Sequence, residues 1–411
     1  MTEEKFAEIQ KLLDRVFHCS PFYRKIFARY GVERGDIRTP EDFEKLPFTD
    51  KNDLREAYPL GLQAVPDEEV VRIHSSSGTT GDPVIIPYTR QDVDDWAEMF
   101  ARCYRIAGVT NRDVVQITPG YGLWTAGIGF QAGAERLGAM AVPMGPGNTD
   151  KQFRMMIDLK STVLCSTSSY ALLIAEEAEK RGILGKLHLK KGIIGSERWG
   201  ELMKKRIQDK LGIELFDIYG LTEVYGPGIG IDCSYHQGIH YFDDFLYFEI
   251  IDSTTGKRVP DGKWGELVIT TLKKQAAPLV RYRTHDITRF IPGKCPCGRK
   301  YPRIGRIMGR TDDMIKVKGV NIYPGQVEDV LKSCRGVSSE YQIHIRHENG
   351  RDVLRLKVEK KPGAGKEAVE REVTAAFKNQ IGIRILTEAV ELGELPRSEK
   401  KSQRVFDYRQ K

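Results

Sequence analysis

Between about residues 110 and 220, short β-rich apolar runs alternate with stretches whose apolar residues recur at helical spacing. Val114–Ile117, Thr162–Cys165, Gly192–Gly195 and Leu215–Tyr219 are strand candidates. Asp150–Leu159, Tyr170–Arg181 and Gly200–Lys210 are the helix candidates between them. That alternation predicts βαβ units and a parallel sheet. Upstream, helical patterns cover Glu4–Phe17, Pro21–Tyr30 and Thr39–Lys45. Thr89-Arg90-Gln91-Asp92 reads as a capping box opening a helix that runs to about Ile106. Beyond residue 240 the texture changes. Phe245–Asp252, Gly265–Leu272 and Asp286–Phe290 alternate around the turns Thr254-Thr255-Gly256 and Pro260-Asp261-Gly262, which predicts antiparallel pairing. Residues 312–411 form a tail of mixed elements, with strands at Ile315–Val317, Tyr341–Arg346 and Val353–Val358 and helices near Pro324–Ser333 and Lys366–Gln380. The expected fold is α/β. It has a large N-terminal domain, 1–311, with parallel sheets flanked by helices plus an antiparallel subdomain, and a small mobile α+β C-terminal domain, 312–411. The hinge is expected near Arg310-Thr311-Asp312.

Against that frame of elements, the densest chemistry is the run Ser75-Ser76-Ser77-Gly78-Thr79-Thr80-Gly81-Asp82-Pro83. It lies between two strand candidates, Val70–Ile73 and Val84–Tyr88. Glycines let a backbone curl its N–H groups around an anion, and the hydroxyls add donors. The segment therefore suits a polyphosphate, although alone it also reads as a Ser/Thr/Gly surface turn. It is not the lysine-bearing phosphate loop, since no lysine follows the second glycine. In open α/β sheets ligands sit beyond the carboxyl ends of strands, where Ser196-Glu197 and Tyr219-Gly220-Leu221-Thr222-Glu223 fall. Tyr219 could stack on a purine, and Glu223 could hold Mg²⁺. Arg281-Tyr282-Arg283-Thr284-His285-Asp286 sets a carboxylate among basic residues, either for ribose hydroxyls or as a surface ion pair.

Composition narrows the partners. The chain has 411 residues, 40% of them apolar and 29% charged, with a net charge of +7, which suits anionic substrates without demanding nucleic acid. No stretch approaches the ~18 consecutive apolar residues of a membrane span. Seven cysteines, an odd number, follow an acidic N-terminus unlike a secretion signal, so a reducing cytoplasm is expected. Cys295-Pro296-Cys297-Gly298, with Cys233 and either His236 or His240, could form a Cys₃His zinc site.

Taken together and in this order, the hydroxyl-rich loop, Y-G-x-T-E, Y-R-T-x-D, G-R-x-D-D and the terminal Pro396-Arg397-Ser398-Glu399-Lys400-Lys401 resemble the adenylate-forming superfamily. The nearest resemblance is to its phenylacetate–CoA ligase family. The markers of that branch are Tyr121-Gly122-Leu123-Trp124-Thr125-Ala126-Gly127, Asp217–Val224 and Gly319–Pro324. The resemblance implies ATP-dependent activation of an aryl or arylacetic acid to acyl-AMP, then transfer to coenzyme A. It implies that Ser75, Ser76, Ser77, Gly78, Thr79, Thr80 and Gly81 hold pyrophosphate and that Glu223 binds Mg²⁺. Tyr219 flanks adenine, with Ser196 and Glu197 on its other side, and Asp217, Gly220 and Thr222 belong to the same nucleotide site. Asp286 takes the ribose hydroxyls with Arg310 nearby, Asp312 is the hinge, and Lys401 bridges carboxylate and α-phosphate. Lys400 stands where the family has glycine, which makes it the alternative lysine. Lys318 stands where relatives carry arginine. Tyr121, Trp124 and Ala126 suggest a flat apolar acid pocket or ordinary packing. Matching the residues after the histidines favours His240 as the fourth ligand of a structural zinc. Competing readings are an adenylating enzyme that serves a carrier protein or amine, and a zinc-containing nucleic-acid-binding protein. A homodimer is left open; a membrane partner is not expected.

Overall fold

The computed structural model describes residues 1–76, 82–123, 125–197, 199–317, 320–348, 351–397 and 403–409. The chain forms two compact units. One comprises Met1–Asp113, Pro119–Gly145 and Phe216–Arg306; the other comprises Val114–Thr118, Pro146–Leu215 and Ile307–Lys411.

In the first unit, helices Glu3–Cys19 and Pro21–Arg29 start on side-chain caps from Thr2 and Ser20. The expected capping box is present: Thr89 and Asp92 exchange hydrogen bonds at the start of helix Arg90–Ile106. Its apolar face puts Trp96, Phe100 and Tyr104 fully inside, where Phe100 meets Phe130 of helix Ala126–Leu137. Strands Arg72–Ser75 and Ile85–Tyr88 pair as the expected antiparallel hairpin. Leu246–Ile251, Gly265–Thr271 and Tyr282–Thr288 form an antiparallel meander. The third strand starts earlier than the pattern suggested because Arg281 is locked before it. Arg281 is buried against the Glu249 carboxylate at 3.0 Å, stacks 4.1 Å over Phe48, and donates to the carbonyls of Glu44 and Leu46. Arg283 likewise pairs with the buried Glu266. Both arginines thus tie the N-terminal segment and the meander together. Strand Gly226–Asp232 runs antiparallel between Glu214–Leu221 and Ile239–Tyr241.

In the second unit, Val114–Ile117, Val163–Thr167 and Lys191–Gly195 pair in parallel, as the alternation predicts. Helices Thr149–Asp158, Ser168–Lys180 and Glu201–Leu211 supply a core that includes Phe153, Tyr170, Ile174 and Ile207. The tail has its own core. Strands Val337–Glu348 and Arg351–Lys360 pair antiparallel, flanked in parallel by Leu386–Val390 and Val405–Asp407. Helices Pro324–Lys332 and Lys366–Ile381 bury Val327, Leu331, Val373 and Phe377 against them, and Leu202 packs on the same cluster. Among the described residues, no helix is long and apolar enough to cross a membrane.

Candidate active site

Strand Glu214–Leu221 brings the Y-G-x-T-E segment into the first unit. Its register slips between Tyr219 and Gly220, so the backbone bends there. Gly220 is required by this approach: a Cβ would lie 2.1 Å from the Gly226 carbonyl oxygen. Tyr219 and Asp286 are both buried, and the tyrosine hydroxyl donates to the Asp286 carboxylate at 2.6 Å. Two residues far apart in sequence thus meet in one place. The Asp286 amide donates to Thr284 Oγ1 at 3.0 Å, fixing its backbone. Asp217 lies on the same strand, and its amide donates to the Asp232 carboxylate at 2.8 Å.

The strand ends at Leu221, so Thr222 and Glu223 sit in the following turn. Glu223 is 5% exposed and faces Lys51 Nζ at 3.1 Å. Lys51 opens helix Lys51–Glu56 behind the Asp50–Asp53 capping box. Sequence reasoning passed over it, since a lysine on a short amphipathic helix carries no signal of its distant partner. Thr222 Oγ1 lies 3.3 Å from Thr125 Oγ1, a second contact that no motif announced.

Of the hydroxyl-rich run, Ser75 and Ser76 are described and buried. Ser76 closes the neck of the hairpin: its amide donates to the Val84 carbonyl at 3.0 Å, and its hydroxyl accepts from the Val84 amide at 2.9 Å. The Ser75 amide donates to the Leu123 carbonyl at 2.9 Å, joining this neck to the Tyr121-Gly122-Leu123 segment. Ser77, Gly78, Thr79, Thr80 and Gly81 lie outside the described residues, as do Trp124, Lys318, Lys400 and Lys401. Tyr121 is half-buried, and its ring fills the space beside Gly127, just after Ala126 at the helix start. A further aromatic there is Trp96. It is fully buried, its indole N–H donates to the Pro227 carbonyl at 2.8 Å, and its ring leaves no space for a Cβ on Gly226.

In the second unit, Ser196 has a left-handed backbone, φ 69°, directly after strand Lys191–Gly195. Glu197 accepts from the Ser169 amide at 2.6 Å, placing a carboxylate at the positive end of helix Ser168–Lys180. Arg310 grips Asp312 with two hydrogen bonds, 2.7 and 2.8 Å.

The cysteine cluster assembles in the first unit. The ligand atoms of Cys233, His240, Cys295 and Cys297 lie within 4.8 Å of one another. Cys233 Sγ is 3.6 Å from Cys295 Sγ, and Cys297 Sγ is 3.5 Å from His240 Nε2. His240 Nδ1 lies 3.1 Å from the Tyr301 carbonyl oxygen, which orients the ring and leaves Nε2 facing the sulfurs. His236 is drawn elsewhere, to the Asp232 carboxylate at 2.7 Å and the Phe216 ring. Burial pushes the Cys233 thiol up to about 12, with the neighbouring cysteines adding to the shift.

Lys274 is fully buried, with Nζ 3.7 Å from the Tyr88 ring centre and 4.2 Å from that of Tyr225. Burial lowers its pKa from 10.5 to about 7, with Asp92 and Asp95 opposing the shift. Between those two values the unfolded chain holds this proton and the folded chain releases it, so stability rises with pH across the window. Lys274→Met should flatten that rise, read as urea midpoints at the two ends of the window. A variant whose midpoint climbs as steeply as the parent's would contradict it.

Residues 30–272 match the AMP-binding enzyme family, and residues 319–409 match the AMP-binding enzyme C-terminal domain. The chain belongs to the AMP-binding enzymes. The phenylacetate-coenzyme A ligase of Pseudomonas putida is 40% identical over 417 residues, covering 100% of this chain and 94% of that protein. Those of Thermus thermophilus and Escherichia coli are each 40% identical, over 98% and 97% of this chain and 95% and 92% of their own lengths. Within the AMP-binding enzymes the chain stands in the phenylacetate–CoA ligase family, whose members are AMP-forming acid–CoA ligases. Among solved structures, 2-hydroxyisobutyryl-CoA ligase in the postadenylation state with 2-HIB-AMP superposes with a TM-score of 0.90. It is 29% identical, covering 99% of this chain and 89% of that one. The enzyme family takes the place of the nucleic-acid-binding alternative.

Proposed function

We propose that this protein joins an aromatic carboxylic acid, aryl or arylacetic, to coenzyme A by way of an acyl-adenylate. The observation that carries the reading is the buried Tyr219–Asp286 pair, with Glu223 in the turn after Tyr219's strand, on a chain 40% identical throughout to phenylacetate-coenzyme A ligases. A carboxylate is a poor electrophile, so it must acquire a leaving group. Its oxygen attacks the α-phosphorus of ATP, and the bond to the β-phosphate breaks, releasing pyrophosphate. The coenzyme sulfur then attacks the acyl carbonyl, the thiol proton passes to solvent, and the bond to AMP breaks.

The first step brings two anions together, so a cation at the reacting atoms lowers the barrier. Lys401 would supply it, with Lys400 as the alternative. Ser75–Gly81 would receive the departing pyrophosphate, Asp286 the ribose hydroxyls, and Tyr219 the adenine, with Asp217, Gly220 and Thr222 alongside. Ser196, Glu197 and Arg310 are assigned to the nucleotide on resemblance alone. Tyr121, Trp124 and Ala126 would line the acid pocket. The second step needs the lysine gone and a thiol admitted, which a tail of residues 312–411 turning about Asp312 would achieve.

A buried single carboxylate suits Mg²⁺, which takes one or two protein oxygens together with phosphate oxygens. Glu223 would hold that ion, and Lys51 balances its charge before the ion arrives. The cysteine cluster also fits its metal. Tetrahedral zinc, with bonds of about 2.3 Å to sulfur and 2.0 Å to nitrogen, requires S···S near ~3.8 Å and S···N near ~3.5 Å. Cys233 to Cys295 and Cys297 to His240 are 3.6 and 3.5 Å, and all four ligand atoms lie within 4.8 Å of one another. Cys233, His240, Cys295 and Cys297 would hold a structural zinc, four protein ligands leaving no open position. A cytoplasmic location accords with seven unbridged cysteines.

A pyrophosphate-release screen over aryl, arylacetic and short aliphatic acids, with and without coenzyme A, tests the reading. An aromatic acid should react fastest, and the coenzyme should sustain turnover. A faster aliphatic acid would overturn the substrate class. Turnover sustained by an amine or carrier protein, but not by coenzyme A, would overturn the acceptor.

A further inference from the structure

A chain of alternating charges in the second unit ties Arg397 of the terminal Pro396-Arg397-Ser398 motif to residues that no motif includes. Glu359, on strand Arg351–Lys360, is completely buried. Its carboxylate accepts from the Gly393 and Leu395 amides at 3.1 and 3.0 Å, and from both terminal nitrogens of Arg397 at 2.9 Å each. That set of bonds lies wholly within the tail and shapes its 393–397 segment. Arg397 has a second carboxylate. Its Nε and Nη2 reach Glu176 of helix Ser168–Lys180 at 3.0 and 3.3 Å. The same Glu176 pairs with Arg206 of helix Glu201–Leu211, and Arg206 in turn donates to the hydroxyls of Ser338 and Ser339 at 3.0 and 3.2 Å. Side-chain exposures of 22% for Glu176, 15% for Arg206 and 10% for Arg397 keep the network from being a screened surface pair.

The two carboxylates on Arg397 therefore differ in kind. Glu359 lies on a strand of the tail, whereas Glu176 belongs to helix Ser168–Lys180, outside the tail. Arg397 precedes Lys401 by four residues, a span of at most ~14 Å of extended chain. Whatever seats Arg397 limits where that lysine can be.

We propose that Glu176 is a positioning residue for adenylation: it docks Arg397, four residues before Lys401, holds Arg206 towards Ser338 and Ser339 of the tail, and is released before thioester formation. The inference rests on the two-step acid–CoA ligase reading. Removing Glu176 leaves Arg397 paired with Glu359 inside the tail, so the 393–397 segment keeps its fold, while Arg206 keeps weaker docking contacts to Ser338, Ser339 and, at 3.8 Å, Glu359.

The test is Glu176→Gln in the full chain, with Glu176→Asp as the charge-retaining control. Single-turnover acyl-AMP formation should fall about tenfold in the glutamine variant, the scale of one charge-assisted hydrogen bond. Thioester formation from supplied acyl-AMP should be unchanged or faster, and the aspartate variant should recover part of the loss. Amide exchange in residues 393–397 should rise in the glutamine variant while exchange within helix Ser168–Lys180 stays as in the parent. Equal losses in both half-reactions, or unchanged adenylation, would overturn the proposal. Should the parent make no acyl-AMP from any acid, the function reading falls, and the exchange measurement alone decides the docking claim: unchanged exchange overturns it.

Discussion

Lys401→Ala should abolish acyl-adenylate formation while sparing thioester formation from supplied acyl-AMP and coenzyme A. The expected loss in the first half-reaction is about 10³-fold, the upper range for removing one preorganised charge from a developing transition state. An acid and a triphosphate repel each other, and the Pro-Arg-Ser lead-in is followed by lysines three and four residues beyond an arginine that is itself tied down. The second step begins from a neutral acyl carbonyl and gains nothing from that cation. Separate single-turnover measurements read the two steps. If Lys401→Ala adenylates at the parent rate while Lys400→Ala does not, the register is wrong and the role passes to Lys400.

The second large effect concerns the metal. Protein purified without chelator should carry one zinc per chain, and Cys297→Ala should carry none. The variant should lose about 3–5 kcal/mol, because buried thiols and an imidazole drawn together around a cation are left without it. Its melting temperature should fall by about 10 °C, while the chemistry of the remaining folded enzyme persists. His240→Ala should behave the same way, and His236→Ala should keep its zinc, since His236 is committed to Asp232. Elemental analysis showing no zinc in the parent would remove the claim. Loss of zinc in His236→Ala but not in His240→Ala would reassign the ligand.

Much of the fold was legible because local rules and tertiary structure agree. The Thr89–Asp92 box starts its helix, the β-rich runs at Val114, Thr162 and Gly192 become parallel strands, and the strands on either side of the hydroxyl-rich run pair antiparallel. Strand Gly226–Asp232 was not legible, because Gly-Pro-Gly-Ile-Gly reads as a loop by propensity. Its glycines answer a packing demand instead: a Cβ on Gly228 would lie 2.4 Å from the Phe100 ring. The site divided in the same way. Tyr219, Glu223 and Asp286 stood out through motif spacing, and the fold places Tyr219 and Asp286 in contact. Lys51, Trp96 and Glu176 did not, because their partners lie far along the chain and no periodicity encodes a long-range charge or ring contact. For the cysteine cluster the resemblance already favoured His240 over His236, and His240 is the histidine that lies with the three cysteines, while His236 is drawn to Asp232.

The central claim is that the acid is activated by bonding to the α-phosphate. An aromatic acid labelled with ¹⁸O in its carboxylate, turned over with ATP, Mg²⁺ and coenzyme A, tests this most directly. One labelled oxygen should appear in the phosphate of AMP for each acyl-CoA formed, with unlabelled pyrophosphate. Label appearing in inorganic phosphate with ADP as co-product, or AMP free of label, would contradict it.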